Sequence, residues 1–380
     1  VKLARDHETL KAITALVEYA FRKQDPIIDD PLFLSRYEHA DCYGVYQDNE
    51  LTNLVMANHF EMQLFQQKVK MAGVGYVASY PEYRGKGGIS SIMSELLSDL
   101  HDQGVAVSQL APFSEDFYRK FGYEPTSRRK TYRIPALAFT YLKSERRGTI
   151  KRGSWQQLKP EIQSIYQRLL KQQQVGTVIR EEWWWERLND YYPHRFYAVA
   201  FDDAGKAKGY IIYRMQGNTL VVDELAYEDE LAMRKLLTYL KSHVSSFEEF
   251  LYHAPVHECI EKCFLEQDYF MITLEPYMMS RIIDITQLLP KLPIKQQEII
   301  LEVTEDKECP WNVGSWLISQ GTCQKVQKAG DVKASIHGWS ELLLGELSLA
   351  EGLFFGKVTA SKDVALDIFP KGKQSFYDYF

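Results

Sequence analysis

The chain has no apolar run that approaches the ~18 residues a membrane-spanning helix needs. Its opening residues, Val1-Lys2-Leu3-Ala4-Arg5-Asp6-His7, lack the apolar centre of a secretory signal. Cysteine is scarce: Cys42, Cys259, Cys263, Cys309 and Cys323 form an odd, scattered set, unlike the paired framework of a small secreted domain. These absences predict a soluble, unexported protein with reduced thiols, in the cytoplasm and without a membrane partner. There is also no excess of basic residues. The 45 Lys and Arg stand against 51 Asp and Glu, a formal charge of −6. That balance gives no reason to expect nucleic acid as a partner and leaves a surface that tolerates cationic ligands.

What is present is the composition of a folded protein, with 45% apolar and 25% charged residues over a length suited to two or three domains. Three are expected, at 1–145, 146–284 and 285–380, the first two built as α/β units with mixed sheets and the last as an α+β unit. Leu10, Ile13, Leu16, Val17 and Phe21 recur at helical spacing; strands follow at Tyr43–Tyr46, Leu51–His59 and Lys70–Ser79. The last precedes Arg84-Gly85-Lys86-Gly87-Gly88, after which Ile89, Ile92, Met93, Leu96, Leu97 and Leu100 mark another helix. A strand at Val105–Leu110, a helix at Ser114–Phe121 and a strand at Thr131–Ile134 complete this region.

The order then repeats, with a helix at Pro160–Gln172, strands at Phe196–Phe201, Lys208–Arg214 and Thr219–Leu225, and a helix at Glu230–Val244. Phe250-Leu251-Tyr252-His253-Ala254-Pro255 echoes Ser108-Gln109-Leu110-Ala111-Pro112. In the second copy the connection is Tyr227-Glu228-Asp229-Glu230, acidic and without glycine. That copy is expected to be scaffold. Beyond 280, four short strands and two helices, Trp339–Leu344 and Leu347–Glu351, precede the aromatic end Phe376-Tyr377-Asp378-Tyr379-Phe380, which is too apolar for a solvated tail and is expected to dock.

The segment 84–88 is the chief chemical signal. Backbone N–H groups at a helix start bind phosphate with help from the helix dipole, and glycines clear the approach. The bland alternative is a glycine-rich turn with solvated basic residues. The segment is neither Gly-x-x-x-x-Gly-Lys-Ser/Thr nor Gly-x-Gly-x-x-Gly with a following acidic residue, so the two common nucleotide loops fail.

Val77-Ala78-Ser79-Tyr80-Pro81-Glu82-Tyr83-Arg84-Gly85-Lys86-Gly87-Gly88 resembles motif A of the GCN5-related N-acetyltransferases (GNAT), and Phe117-Tyr118-Arg119-Lys120-Phe121-Gly122-Tyr123-Glu124 resembles their later Tyr-x-x-x-Gly-Phe/Tyr signature. The tandem copies, a sterol-carrier-like last domain and the aromatic C-terminus are similar to the enhanced-intracellular-survival (Eis) proteins. One departure is Ile89, where the wider family places a small residue and Eis-type proteins an aliphatic one.

The resemblance implies acetyl-CoA as cosubstrate, with Arg84, Gly85, Lys86, Gly87 and Gly88 holding its pyrophosphate and the backbone of Val77 and Ser79 pairing with its pantetheine arm. It implies a backbone N–H near Tyr76 or Val77 for the oxyanion, Tyr118 as general acid, and the carboxylate of Phe380 as base through water. Tyr123 is the alternative acid. Aromatic burial alone is the alternative role for the tail, and Asp378 is a candidate contact for a cationic substrate or simply a solvated charge. The implied acceptor is a primary amine of a polyamine or aminoglycoside-like molecule, with protein lysine as competitor and a non-enzymatic lipid-binding or interaction module as the alternative of another class. A homo-oligomer, hexameric in Eis-type proteins, is implied too.

Other features weigh less. His253, His257, Cys259 and Cys263 do not match a compact zinc spacing, and no metal is expected. Trp183-Trp184-Trp185 reads as packing, because consecutive helical residues face different ways. Asp25, Asp29, Asp30, Glu38 and Asp41 are a candidate rim for a cation or a solvated loop. Leu342, Leu343, Leu344, Leu349, Phe354 and Phe355 would line a lipid groove or form an ordinary core.

Overall fold

A computed structural model describes the chain except for residues 173–174, 346, 370 and 374–376. Phe376, the first residue of the expected docking tail, therefore lies outside the described residues. The chain forms two compact units: residues 1–127, 277–372 and 379–380 make the first, and 128–276 with 373–378 the second. The segment expected as a last domain thus divides, with 285–372 and 379–380 clustering with the first copy.

In the first unit, α1 (His7–Ala20) buries Ile13, Leu16 and Val17, the stripe its spacing predicts, and Asp6 caps it by accepting from the Thr9 N–H. Pro31 at the first turn and Asp30 as cap start α2 (Pro31–Glu38). Strands β1 (Ala40–Gln47), β2 (Glu50–Leu64) and β3 (Gln67–Ser79) run antiparallel in sequence. Helix α3 (Gly88–Asp102) then carries the chain across to β4 (Val107–Leu110), which pairs parallel to β3. Ile92, Met93, Leu96, Leu97 and Leu100 of α3 are fully buried, as their spacing requires. Helix α4 (Glu115–Arg119) precedes β5 (Glu124–Pro135), a longer strand than Thr131–Ile134 alone suggested.

The second unit begins at Arg128, within β5. It continues through β6 (Thr149–Gly153), α5 (Trp155–Leu170), β7 (Val175–Ile179), α6 (Glu182–Tyr191), β8 (Phe196–Phe201), β9 (Ala207–Gln216), β10 (Thr219–Tyr227), α7 (Glu230–Lys241) and β11 (Glu249–Pro255). The repeat is topological as well as sequential. An antiparallel β8-β9-β10 meander crosses through α7 to β11, which pairs parallel to β10, as β3 passes through α3 to β4.

The chain returns to the first unit in β12 (Met271–Ile282), which lays Met279–Ile282 antiparallel on Leu110–Val107 of β4. A short helix α8 (Ile285–Leu288) leads to a five-stranded sheet of β13 (Glu298–Val303), β14 (Gly314–Ser319), β15 (Thr322–Val326), β16 (Val332–Ala334) and β17 (Val358–Ala360), with α9 (Ile336–Leu344) and α10 (Leu349–Phe354) between its last two strands. Arg281, fully buried, ties this part to the first copy: it pairs with Asp306 at 2.8 Å and donates to the Phe121 carbonyl at 2.6 Å. A buried guanidinium must be satisfied in this way to be tolerated.

Candidate functional site

Parallel pairing of β3 with β4 runs from Met71 opposite Val107 to Val74 opposite Leu110. Beyond it β3 continues to Ser79 while the chain after β4 turns away through Ala111 and Pro112. A cavity of about 850 Å³ opens at this divergence, at the carboxyl end of parallel strands, where α/β folds place ligands. On the other edge of β3 the register with β2 shifts: Leu54 faces Ala78 but Met56 faces Gly75, so Tyr76 and Val77 bulge opposite one residue. Tyr76 has φ +48°, and both bulged residues line the cavity.

After β3, a short turn at Pro81–Tyr83 leads into the glycine loop. Gly85 and Gly87 have φ of +73° and +83°, where L side chains are strained, and a Cβ on either would meet nothing within 4 Å. Gly87 is the N-cap of α3, and among the described residues no side chain caps the helix, so its leading N–H groups are left for a ligand or water. Gly88 does a different job from the one its place in the loop suggests. A Cβ there would stand 2.4 Å from the side-chain oxygen of buried Asn53, whose amide donates to Ser79 Oγ at 2.6 Å. Gly88 therefore lets the helix start close to the sheet.

Nine of the ten residues anticipated for the site line this cavity: Tyr76, Val77, Ser79, Arg84, Gly85, Gly87, Gly88, Tyr118 and Phe380. Lys86 is outside the lining, its ammonium 5.2 Å from the centre of the Tyr83 ring. Tyr118 is 2% exposed on α4, whose cap Ser114 accepts from the Phe117 N–H. Burial holds its phenol well above the ordinary tyrosine range, helped by Tyr123 and Tyr379, so it stays protonated. Tyr123 is fully buried, bonded to Ser108 Oγ at 2.6 Å and absent from the lining; burial pushes its phenol up to about 12. Of the two candidate tyrosines, only Tyr118 faces the cavity.

Phe380 docks as expected of an aromatic tail: it is 6% exposed, its ring 5.0 Å from Phe60. Two glycines unmentioned by the motifs make this possible. A Cβ at Gly73 would stand 2.9 Å from the rings of both Phe380 and Phe60; one at Gly75 would stand 2.6 Å from Arg36 Nη2 and 3.2 Å from the carbonyl carbon of Phe380. Arg36 is buried, donates from Nε to Asn58 Oδ1 at 3.0 Å and lies over the Tyr76 ring. The one available sequence signal was the alternate spacing of Gly73 and Gly75, which puts both on one face of a strand otherwise built to be buried.

The remaining candidate residues from the sequence lie outside the lining of this cavity. Asp378 is fully buried in the second unit, paired with Arg180 at 2.9 Å and accepting from Trp184 Nε1 at 2.7 Å, so it anchors chain rather than meeting substrate. Trp184 and Trp185 are core, as expected of packing. Of the acidic group, Asp30 caps α2 and Asp41 pairs with Lys2 and His59, and none lines the cavity. Among the described residues no three His, Cys, Asp or Glu are grouped to hold a metal, and no helix is long and apolar enough to cross a membrane. Leu342, Leu343, Leu344 and Leu349 are core, whereas Phe354 and Phe355 are exposed.

The second copy has its own cavity, about 420 Å³, beyond the point where β10 and β11 stop pairing. Here Asp229 caps α7 by accepting from the Ala232 N–H at 2.9 Å, and Glu228 is engaged by Arg168 and Lys208. The Tyr377 hydroxyl donates to the Leu225 carbonyl at 2.9 Å on β10.

Residues 2–126 and 176–282 each match an acetyltransferase (GNAT) domain, and 285–377 match a sterol carrier protein domain. A solved structure from Enterococcus faecalis, described as a probable N-acyltransferase, is 34% identical over 100% of this chain and 98% of its own, with a TM-score of 0.91. A GCN5-related N-acetyltransferase from Anabaena variabilis (20% identity, both chains fully covered, TM-score 0.89) and Eis1 from Mycobacterium abscessus (19%, 100% and 99% covered, TM-score 0.83) share the fold. An uncharacterized N-acetyltransferase of Streptomyces coelicolor is 22% identical over 79% of this chain and 77% of its own.

Proposed function

The chain belongs to the GCN5-related N-acetyltransferase family and is an N-acetyltransferase, and from that premise we propose that its first copy alone moves acetyl from acetyl-CoA to a primary amine of a cationic small molecule. The observation that carries the proposal is the pairing of an uncapped α3 N-terminus, with Gly85 and Gly87 open on their Cβ sides, with protonated Tyr118 in the same cavity. The cosubstrate supplies an activated thioester. Arg84 and the backbone of Gly85, Gly87 and Gly88 would hold its pyrophosphate, Lys86 adding charge from outside the lining, and the backbone of Val77 and Ser79 would pair with its pantetheine arm by edge addition.

The residues divide the chemistry. The amine lone pair forms the new C–N bond as the C–S bond breaks. Bulged backbone N–H at Tyr76 or Val77 takes the charge developing on the carbonyl oxygen. The Tyr118 phenol donates its proton toward the departing sulfur, and the proton leaving the amine passes through water to the carboxyl group of Phe380 where that residue ends the chain. This base assignment is supported by the burial of Phe380 against Gly73 and its carbonyl carbon beside Gly75 and Arg36. The polyamine and aminoglycoside classes come from the Eis likeness. A cytoplasmic homo-oligomer, a hexamer among its forms, belongs to the same proposal.

The test follows release of free thiol from acetyl-CoA in the presence of amines. Tyr118→Phe should lower kcat by about a hundredfold while the acetyl-CoA Kd stays within about twofold. An unchanged kcat removes Tyr118 from the chemistry.

A further inference from the structure

The cavity of the first copy is walled largely by aromatic side chains and, among the described residues, carries little charge beyond Arg84 and the carboxyl group of Phe380 where it ends the chain. Phe21, Tyr76, Phe113, Phe117, Tyr118 and Tyr379 all line it. Among the described residues Arg84 is the one charged side chain in the lining, and no Asp or Glu side chain contributes. The nearby acidic residues are committed elsewhere or absent from the wall, Asp30 to the cap of α2 and Asp41 to Lys2 and His59.

A second observation points the same way. Phe113, Tyr379 and Phe21 are 69%, 62% and 46% exposed, yet all three belong to this wall. Phe113 packs at 5.2 Å on Phe117 and 5.3 Å on Tyr118, and Phe21 at 5.4 Å on Tyr76, so the exposed rings are extensions of ordered aromatic clusters. Exposed aromatic surface bordering a cavity is surface that an occupant covers.

These features bear on the charge of the acceptor. Each ammonium group taken out of water needs a carboxylate or equivalent partner, and a polycation would need several. This wall offers one carboxylate, that of Phe380 where it ends the chain, and otherwise aromatic faces, which attract one cation through the ring quadrupole and stack on flat apolar bodies. An apolar wall also disfavours the protonated form of a bound amine, and the neutral form is the one with a lone pair to attack.

Resting on the transferase reading above but departing from the polyamine and aminoglycoside acceptors that the Eis likeness offers, we infer that the acceptor is a primary amine with a single cationic centre carried on an aromatic body, the arylalkylamine class, rather than a polycation. The amine nitrogen forms the amide bond, the thioester sulfur leaves as thiol with the Tyr118 proton, and the nitrogen's displaced proton goes to water and Phe380, so one acetylamide and one free thiol form per turnover.

Steady-state thiol release from the full chain at saturating acetyl-CoA compares 2-phenylethylamine and tryptamine with spermidine and kanamycin. The two arylalkylamines are expected to exceed both polycations in kcat/KM by about tenfold or more. Phe113→Ala, a change at an exposed ring that leaves the core untouched, is expected to raise KM for tryptamine about fivefold with kcat retained. Equal or better use of spermidine or kanamycin overturns the inference, as does a tryptamine KM that Phe113→Ala does not move. Calorimetric binding of acetyl-CoA with no acetylation of either arylalkylamine also overturns it while leaving the transferase reading standing. Failure to bind acetyl-CoA and to acetylate any of the four amines brings down both.

Discussion

The two copies share a frame and differ in what occupies it. In each, a strand leads through a helix to a parallel neighbour, and a cavity opens where that pairing ends. In the first, α3 starts on Gly87 with no side-chain cap; in the second, the carboxylate of Asp229 already satisfies α7, and Glu228 adds charge beside it. An anion bound at α7 would have to displace the protein's own anion. The strand edge differs too, since Tyr377 takes the Leu225 carbonyl on β10. On the proposed reading, a duplicated fold is silenced by filling its ligand positions with side chains, with no loss of architecture.

That contrast can be broken at several points. The largest effect is expected from Arg84→Glu with Gly87→Glu, which puts carboxylates where α3 is now uncapped and should weaken acetyl-CoA binding by about a thousandfold; Glu228→Gln should leave it unchanged, both measured by calorimetry. In the second copy, Asp378→Ala takes one of two carboxylate partners from buried Arg180, leaving Glu224 at 3.0 Å, and removes the carboxylate that accepts from Trp184 Nε1. Loss of about 3 kcal/mol is expected in chemical denaturation.

Smaller effects should follow in the first copy. Gly73→Ala forces a methyl against the Phe380 and Phe60 rings and should cost about 1–3 kcal/mol, read as a lowered denaturation midpoint. The smallest concerns pH. Because burial raises the Tyr118 pKa, the phenol remains a donor until pH passes its folded value, so any alkaline fall in kcat from its ionisation should lie above the ordinary tyrosine value of about 10. A limb near 8 in the pH profile of kcat that vanishes in Tyr118→Phe would contradict this.

Much of the frame was legible because its signals are local. The apolar stripes of α1 and α3 and the glycines at positive φ are each specified within a few residues. The docking of Phe380 was legible from its apolarity, because a ring next to a chain end gains nothing in water. What escaped was set by distant partners. Short strands β6 and β7 carry too few alternating residues to stand out, and the addition of β12 beside β4 depends on a pairing that no local pattern encodes. Lys86 shows the same limit inside a motif: spacing put it in the loop, but the Tyr83 ring set where its ammonium goes. Asp378 looked like a solvated or substrate-facing charge because its partner Arg180 lies far back in the sequence.

The claim that one of two homologous cavities is competent is tested most directly by the stoichiometry of acetyl-CoA binding to the intact chain. Calorimetric titration should give one site per chain, abolished by Arg84→Glu with Gly87→Glu. Two sites per chain, or one that survives the double variant, would contradict the account and return the ligand to the second copy.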